Sequence, residues 1–277
     1  MKVVDYVKRL LEVNDLCGGT YIEPYAGGAS VALSLLYDGY VSRIRINDKD
    51  RSIFAFWHSA LNETEALCRL IVDTPVTMDV WQREFEVQKY KEDADLLELG
   101  FSTFFLNRTN RSGILKGGVI GGKDQTGKYK IDARYNKAEL VERIEFLAGY
   151  QERIKLTGMD AVELIKRYKR IPAAKTFCYL DPPYCVKGRD LYLNYYNKQD
   201  HEAIAAVIQK YKGPWIVSYD AVEFIKSLYK NYRQKEFYLS YSAGNRAKGR
   251  ELMVYSDGLT LPDVEIVRLK KRKSCTD

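Results

Sequence analysis

Residues 175–184 read Lys175-Thr176-Phe177-Cys178-Tyr179-Leu180-Asp181-Pro182-Pro183-Tyr184, and this stretch decides the fold. Thr176 to Leu180 are β-branched, aromatic or apolar without strict alternation, the pattern of a strand in a sheet covered on both faces. The strand stops at Asp181, because Pro182 and Pro183 cannot donate ladder hydrogen bonds and hold φ near about −65°. The prolines also push Asp181 and Pro182 towards extended backbone. A stiff corner results. It carries a carboxylate that only accepts, a carbonyl with no ladder partner, and the ring of Tyr184.

That trio suits an exocyclic amino group whose lone pair is delocalised into its ring, as in adenine. The Asp181 carboxylate and the Pro182 carbonyl would each take one amino hydrogen. The nitrogen would be drawn towards a tetrahedral shape, its lone pair in line with an electrophilic methyl. Tyr184 offers a face for a base swung out of a helix. The same four letters also describe a proline-rich turn with a solvated aspartate, so the corner has to be weighed with the rest of the chain.

Residues 3–13 have apolar positions at helical spacing (Val4, Val7, Leu10, Leu11) and read as a short amphipathic helix. Thr20-Tyr21-Ile22-Glu23-Pro24-Tyr25-Ala26-Gly27-Gly28-Ala29-Ser30 then reads as strand and glycine turn, before an apolar helix over 31–37. Gly27 and Gly28 permit positive φ and let a ligand approach the backbone at a helix N-terminus. The third glycine of the dinucleotide fingerprint is absent. Glu23 suits a cationic ligand better than a phosphate, and a sulfonium cofactor bearing an ammonium group is one. Glycine for packing alone would look the same.

A second strand, 42–47, ends at Asp48, 25 residues after Glu23, where an acid can accept both hydroxyls of a ribose. Asp50 is the better cap for the helix over 53–61, which leaves Asp48 for the ligand.

The chain of 277 residues carries a net charge of +7, and residues 107–137 hold eight Lys or Arg against two Asp, six of the seven net charges. Such a patch favours a polyanion. Five cysteines without a C-x-x-C pair, and two histidines, argue against zinc. No signal peptide and no apolar run of transmembrane length is expected, so the protein should be cytoplasmic and reduced, with no membrane partner.

From 64 to 151 the strand–helix rhythm breaks. Helices over 78–91 and 96–106 lead into the basic window, where glycines at 117, 118, 121, 122 and 127 suggest a flexible loop. Lys128-Tyr129-Lys130 and Arg134-Tyr135-Asn136 interleave aromatics with cations, as nucleic-acid surfaces do. A strand over 154–157 and a helix over 161–168 resume the rhythm. A helix over 200–211 follows the proline corner, with His201 expected at the surface. A strand at 215–219, a helix at 221–230 and an antiparallel pair at 237–241 and 252–255 complete the reading.

Taken together, E-P-Y-A-G-G-A, I-N-D, F-F-L-N-R-T-N-R-S-G, D-P-P-Y, S-Y-D and K-G-R-E-L occur in the order of the Dam-type DNA adenine methyltransferases, which the sequence resembles through most of its length. The resemblance implies a Rossmann-like, S-adenosylmethionine-dependent α/β fold. Its sheet would be mostly parallel with one antiparallel hairpin strand. Residues 1–63 and 152–277 would form the catalytic domain, and 64–151 an inserted, mainly helical target-recognition domain. It implies that Glu23, Pro24, Tyr25, Gly27, Gly28, Asp48, Asp160 and Asp181 bind S-adenosylmethionine. Asp181, Pro182, Pro183 and Tyr184 would be catalytic. Asn107, Arg108, Asn110, Arg111, Lys123, Lys128, Lys130 and Arg134 would meet double-stranded DNA.

The implied activity is methyl transfer to the amino nitrogen of a flipped adenine without a metal. A cognate restriction endonuclease is a candidate partner. Relatives usually begin with a glycine-lysine motif, whereas here Cys17-Gly18-Gly19-Thr20 has the glycines and no lysine. Two alternatives stay open: a DNA-binding module that retains the fold with weak catalysis, and amino-methylation of cytosine or RNA.

Overall fold

The computed structural model describes residues 3–168, 175–184, 196–240 and 248–264. Lys187, Arg189, Tyr192 and Tyr195, which make the stretch after the proline corner basic and aromatic in sequence, and the basic residues 270–273 lie outside the described residues. Two compact units divide the chain: Met1–Ile46 with Ala161–Asp277, and Asn47–Asp160.

The first unit is built on the strand read first. β4 (Thr176–Leu180) is buried at all five positions. It pairs in parallel with β1 (Thr20–Glu23), Ile22 opposite Cys178, and with β5 (Trp215–Asp220), Leu180 opposite Val217. β2 (Arg43–Asn47) runs parallel to β1 on its other side. β7 (Lys248–Tyr255) is antiparallel to β5, and β6 (Arg233–Ser240) is antiparallel to β7. Within this unit the order is β2-β1-β4-β5-β7-β6, a mixed α/β sheet with β7 as the reversed strand; β3 (Ile154–Thr157) belongs to the second unit. Strand order turns back on itself between β1 and β4. The crevice outside the carboxyl ends of strands at such a point is where open α/β sheets bind ligands. Glu23 and Asp181 leave the sheet there, on the same edge of neighbouring strands.

α1 (Val3–Val13) buries Tyr6, Val7, Leu10 and Leu11 and packs on α2 (Ser30–Tyr37). Gly18 and Gly19 sit at the amino end of β1, the opposite end from Glu23. Gly18 has φ 75°, and a Cβ on Gly19 would lie 1.9 Å from the Lys175 carbonyl oxygen. Thr20 N–H donates to that oxygen at 2.8 Å, and Ser42 N–H donates to Gly19 O at 2.9 Å. These glycines let β1 enter between its neighbours, so they do not stand in for a cofactor-gripping glycine-lysine motif.

The second unit contains α3 (Arg51–Asn62), α4 (Thr64–Asp73), α5 (Met78–Lys89), α6 (Leu96–Thr109) and α7 (Lys137–Ala148). α6 is apolar nearly all round and forms the middle of this unit, as buried helices do. It approaches α3 closely: a Cβ on Gly100 would lie 2.4 Å from Ser59 Oγ. That contact is why α3 belongs with a unit wider than the 64–151 segment read from sequence. α4 and α7, which pack together, have no counterpart in that reading. The residue before α4, Glu63, offers no side-chain cap, and α7 buries only Leu140, Ile144 and Leu147. Among the described residues no helix is long and apolar enough to cross a membrane.

Candidate active site

The glycine turn is shaped by its backbone. Gly27 has φ 47°, and Ala29, the N-cap of α2, has φ 45° with no side chain to cap the helix. The missing cap comes from β1. Glu23, only 5% exposed, accepts the Ala32 N–H at 3.2 Å, so a buried carboxylate lies at the positive end of the helix. Glu23, expected from sequence to face a ligand, also holds the start of α2. The clue was an alanine at a position that normally carries a capping oxygen. A Cβ on Gly27 or Gly28 would meet nothing within 4 Å, so the space beside the turn admits close approach of a ligand to the backbone. Pro24 is buried, and the Tyr25 hydroxyl lies 3.0 Å from that of Tyr196. Burial pushes the Tyr25 phenol well above its ordinary pKa, with Tyr196 adding to the effect.

At the end of β4, Pro182 is buried, and Pro183 and Tyr184 are half-buried. Asp181 Oδ1 accepts from the Ser218 hydroxyl at 2.6 Å, and Ser218 Oγ lies 2.9 Å from the Tyr179 hydroxyl. Protein packed around the carboxylate strips hydration and pushes its pKa up to about 6, while the Ser218 hydrogen bond pulls it down. Asp181 is nevertheless exposed by surface area. Water therefore reaches one side of the group. An acid in this range, a buried carbonyl-bearing proline and an adjacent ring can hold an amino group and receive its proton.

His201 is a correction. Expected at the surface, it is fully buried, with Nδ1 3.2 Å from the Tyr219 hydroxyl and its ring 5.5 Å from that of Tyr196. Its helix, α8 (Lys198–Ile208), begins earlier than read, with a capping box between Asn197 and Asp200 that turns His201 inward. Burial lowers the His201 pKa, against Asp220 and Asp200.

In the second unit, Asp48 follows the last residue of β2. Its Oδ1 accepts the Asp50 N–H at 2.9 Å, and its own N–H donates to Thr157 O at 3.2 Å. Asp50 caps α3, accepting from Ser52 N–H at 3.0 Å. Asp160 pairs with Lys49 at 3.0 Å on the surface. Asn47, which the sequence reading passed over, is 1% exposed. It ties 157–159 down by accepting from Thr157 and Met159 and donating to the Met159 carbonyl.

The basic window divides by role. Asn110 is fully buried: its Oδ1 accepts from Trp81 Nε1 at 2.7 Å, and its Nδ2 donates to the carbonyls of Ile114 and Leu115. Arg108 donates twice to Arg134 O, and Arg134 donates to Asn107 O and Asn110 O. These three side chains hold the end of α6 together. The glycine loop is pinned: Gln125 donates to Ile120 O and Gly122 O and accepts from Ile131 N–H. Asn107, Arg111, Lys123, Lys128 and Lys130 are exposed, as is Tyr129 at 64%, with Lys128 Nζ 5.5 Å from its ring centre.

Residues 1–242 match the family described as D12 class N6 adenine-specific DNA methyltransferase. The chain belongs to that family. A curated relative, type II methyltransferase M.CviBI of Paramecium bursaria Chlorella virus NC1A, is 23% identical over 251 residues, with 86% of each chain covered. Among solved structures, a SAM-dependent methyltransferase from Agrobacterium tumefaciens superposes with a TM-score of 0.41 at 8% identity, covering 91% of this chain and 60% of that one. M. capricolum TrmK bound to S-adenosyl-homocysteine gives 0.37 at 10%, covering 91% and 71%. This D12-family chain is an adenine-specific DNA methyltransferase using S-adenosylmethionine.

Proposed function

We propose that the enzyme methylates the exocyclic amino nitrogen of an adenine rotated out of duplex DNA, and that it is of the Dam type, with the cofactor motif first and D-P-P-Y last. The observation that carries the reading is the parallel pairing of β1 with β4, which delivers Glu23 and Asp181 to one edge of the sheet. Glu23 with Pro24, Tyr25, Gly27 and Gly28 would hold the cofactor, its ammonium facing acid and its body close to the turn. Asp48 would take the ribose hydroxyls and Asp160 the adenine amino group of the cofactor. Bound there, S-adenosylmethionine supplies an electrophilic methyl.

Asp181 and the Pro182 carbonyl take the two hydrogens of the target amino group, and Tyr184 stacks on its ring. After transfer the surplus proton goes to Asp181 and then to water. Acceleration comes from orientation and acceptor placement, without a covalent enzyme intermediate. Asn107, Arg111, Lys123, Lys128 and Lys130 meet the duplex, while Asn110, Arg108 and Arg134 hold the end of α6. Similarity to a type II methyltransferase supports a setting beside a restriction endonuclease.

Transfer of tritiated methyl from S-adenosylmethionine to DNA, with Asp181→Ala as control, tests the reading. Label in DNA that vanishes in the variant supports it. The placement of Gly18 and Gly19 away from the turn favours one second reading, a DNA-binding module with a weakened cofactor grip. Binding of DNA and cofactor with no label transferred at high enzyme concentration would establish that reading instead.

A further inference from the structure

We propose that Ser218 is a positioning residue for Asp181, and that Tyr179 in turn fixes the Ser218 hydroxyl. The inference rests on the methyl-transfer reading of the Asp181 corner. A serine hydroxyl has one proton, and an ionised carboxylate has none to give. The 2.6 Å contact is therefore Ser218 donating to Asp181, and the 2.9 Å contact is Tyr179 donating to Ser218. The first distance falls in the range of charge-assisted O–H···O⁻ bonds.

Register makes the arrangement: Leu180 opposite Val217 on paired β4 and β5 brings residues 181 and 218 side by side. Burial keeps it single-valued. Ser218 is 3% and Tyr179 4% exposed, so neither hydroxyl exchanges its partner for water at low cost.

The consequence concerns which oxygen meets the substrate and in which ionisation state. Oδ1 is committed to Ser218, so the amino hydrogen meets the other oxygen and the carboxylate plane is fixed. Among the described residues, the neighbouring groups do not help to keep Asp181 ionised. From β1, Tyr21 feels both Glu23 and Asp181; on β4, Tyr179 feels Asp181, Glu23 and, from β7, Glu251. On β5, Asp220 acts on His201. In these acidic and phenolic surroundings, the Ser218 hydroxyl is, among the described residues, the group that lowers the Asp181 pKa against desolvation.

The test is the aspartate carboxyl titration, followed by carbon-13 NMR on the ligand-free full chain, together with kcat and KM across pH. Loss of a hydrogen bond to a charged group shifts a pKa by about one unit. Ser218→Ala should therefore raise the Asp181 midpoint by about one unit. For a midpoint near 6 in the wild type, kcat/KM then falls about twofold at pH 7 and about eightfold at pH 5.5, and recovers above about pH 8.5. KM for DNA should stay within about twofold. Ser218→Thr, which keeps the hydroxyl, should restore the wild-type midpoint, and Tyr179→Phe should move it upward by a smaller step.

An unmoved Asp181 midpoint in Ser218→Ala, or a kcat/KM loss equal at every pH, overturns the proposal. Should Ser218→Ala not fold, Tyr179→Phe decides alone: an upward midpoint supports the relay and an unchanged one refutes it. Wild-type protein that transfers no methyl, but whose Asp181 midpoint still moves with Ser218, would sink the methyl-transfer reading and leave the positioning role standing.

Discussion

Three glycines separate the cost of a backbone from the room needed by a cofactor. Gly27 in the turn after β1 has φ 47°, and Gly39 between α2 and β2 has φ 73°; a Cβ on either, or on Gly28, meets nothing within 4 Å. No steric clash therefore enters, and alanine at either left-handed position loses only the conformational term, about 1–2 kcal/mol. Gly27→Ala and Gly39→Ala should lower the melting temperature alike, by about 2–4 °C per kcal/mol for a chain of this size. Gly28 has no positive φ, so Gly28→Ala should change stability by less than about 0.5 kcal/mol.

Affinity for S-adenosylmethionine should split the set differently. A methyl group in the space beside the turn should weaken binding at least about tenfold, about 1.4 kcal/mol, in Gly27→Ala and Gly28→Ala, leaving Gly39→Ala at the wild-type value. Calorimetric titration beside thermal unfolding reads both quantities. Wild-type affinity in Gly28→Ala, or equal losses in Gly27→Ala and Gly39→Ala, would refute the claim that the cofactor lies against this turn.

Four further outcomes follow from the same geometry. Gly19→Ala forces a Cβ to within 1.9 Å of the Lys175 carbonyl and should cost about 1–3 kcal/mol in chemical denaturation, with any surviving enzyme keeping its cofactor affinity. Asn110→Ala strands the buried Trp81 Nε1–H and the Ile114 and Leu115 carbonyls; at about 1–3 kcal/mol per orphaned group, its melting temperature should fall further than that of Lys123→Ala. Folding raises the Asp181 pKa to about 6 from an unfolded value near about 3.9, so the folded chain binds more protons in between. Stability should decline as pH rises from about 4 to about 6, and Asp181→Asn should flatten that limb in pH-dependent unfolding. Replacing exposed Lys123, Lys128 and Lys130 by alanine should reduce the salt slope of DNA binding by up to about 0.9 per lysine, read from affinity at several salt concentrations.

The parallel centre of the sheet was legible because β4 and β1 announce themselves by unbroken apolar composition and by what stops them, two prolines or a glycine turn. The antiparallel hairpin was legible from two apolar runs, although both strands extend further than those runs. Features that depend on a partner distant in sequence could not be read. Ser218 and Tyr179 are ordinary strand residues until β4 and β5 pair, and Glu23 looks like a pure ligand until α2 proves to lack a cap of its own. His201 was misplaced for the same reason: its burial follows from a helix start set by Asn197. In the basic window, charge and polarity looked alike in sequence. Burial separates Asn110, which ties the scaffold, from Lys128 and Lys130, which face water.

In the proposed mechanism the Asp181 corner activates the amino nitrogen of adenine. Mass spectrometry of nucleosides from DNA incubated with purified enzyme and S-adenosylmethionine tests it most directly. We predict N6-methyladenine with the wild type and none with Asp181→Ala. Methyl groups found on cytosine, or N6-methyladenine formed equally by the variant, would contradict it.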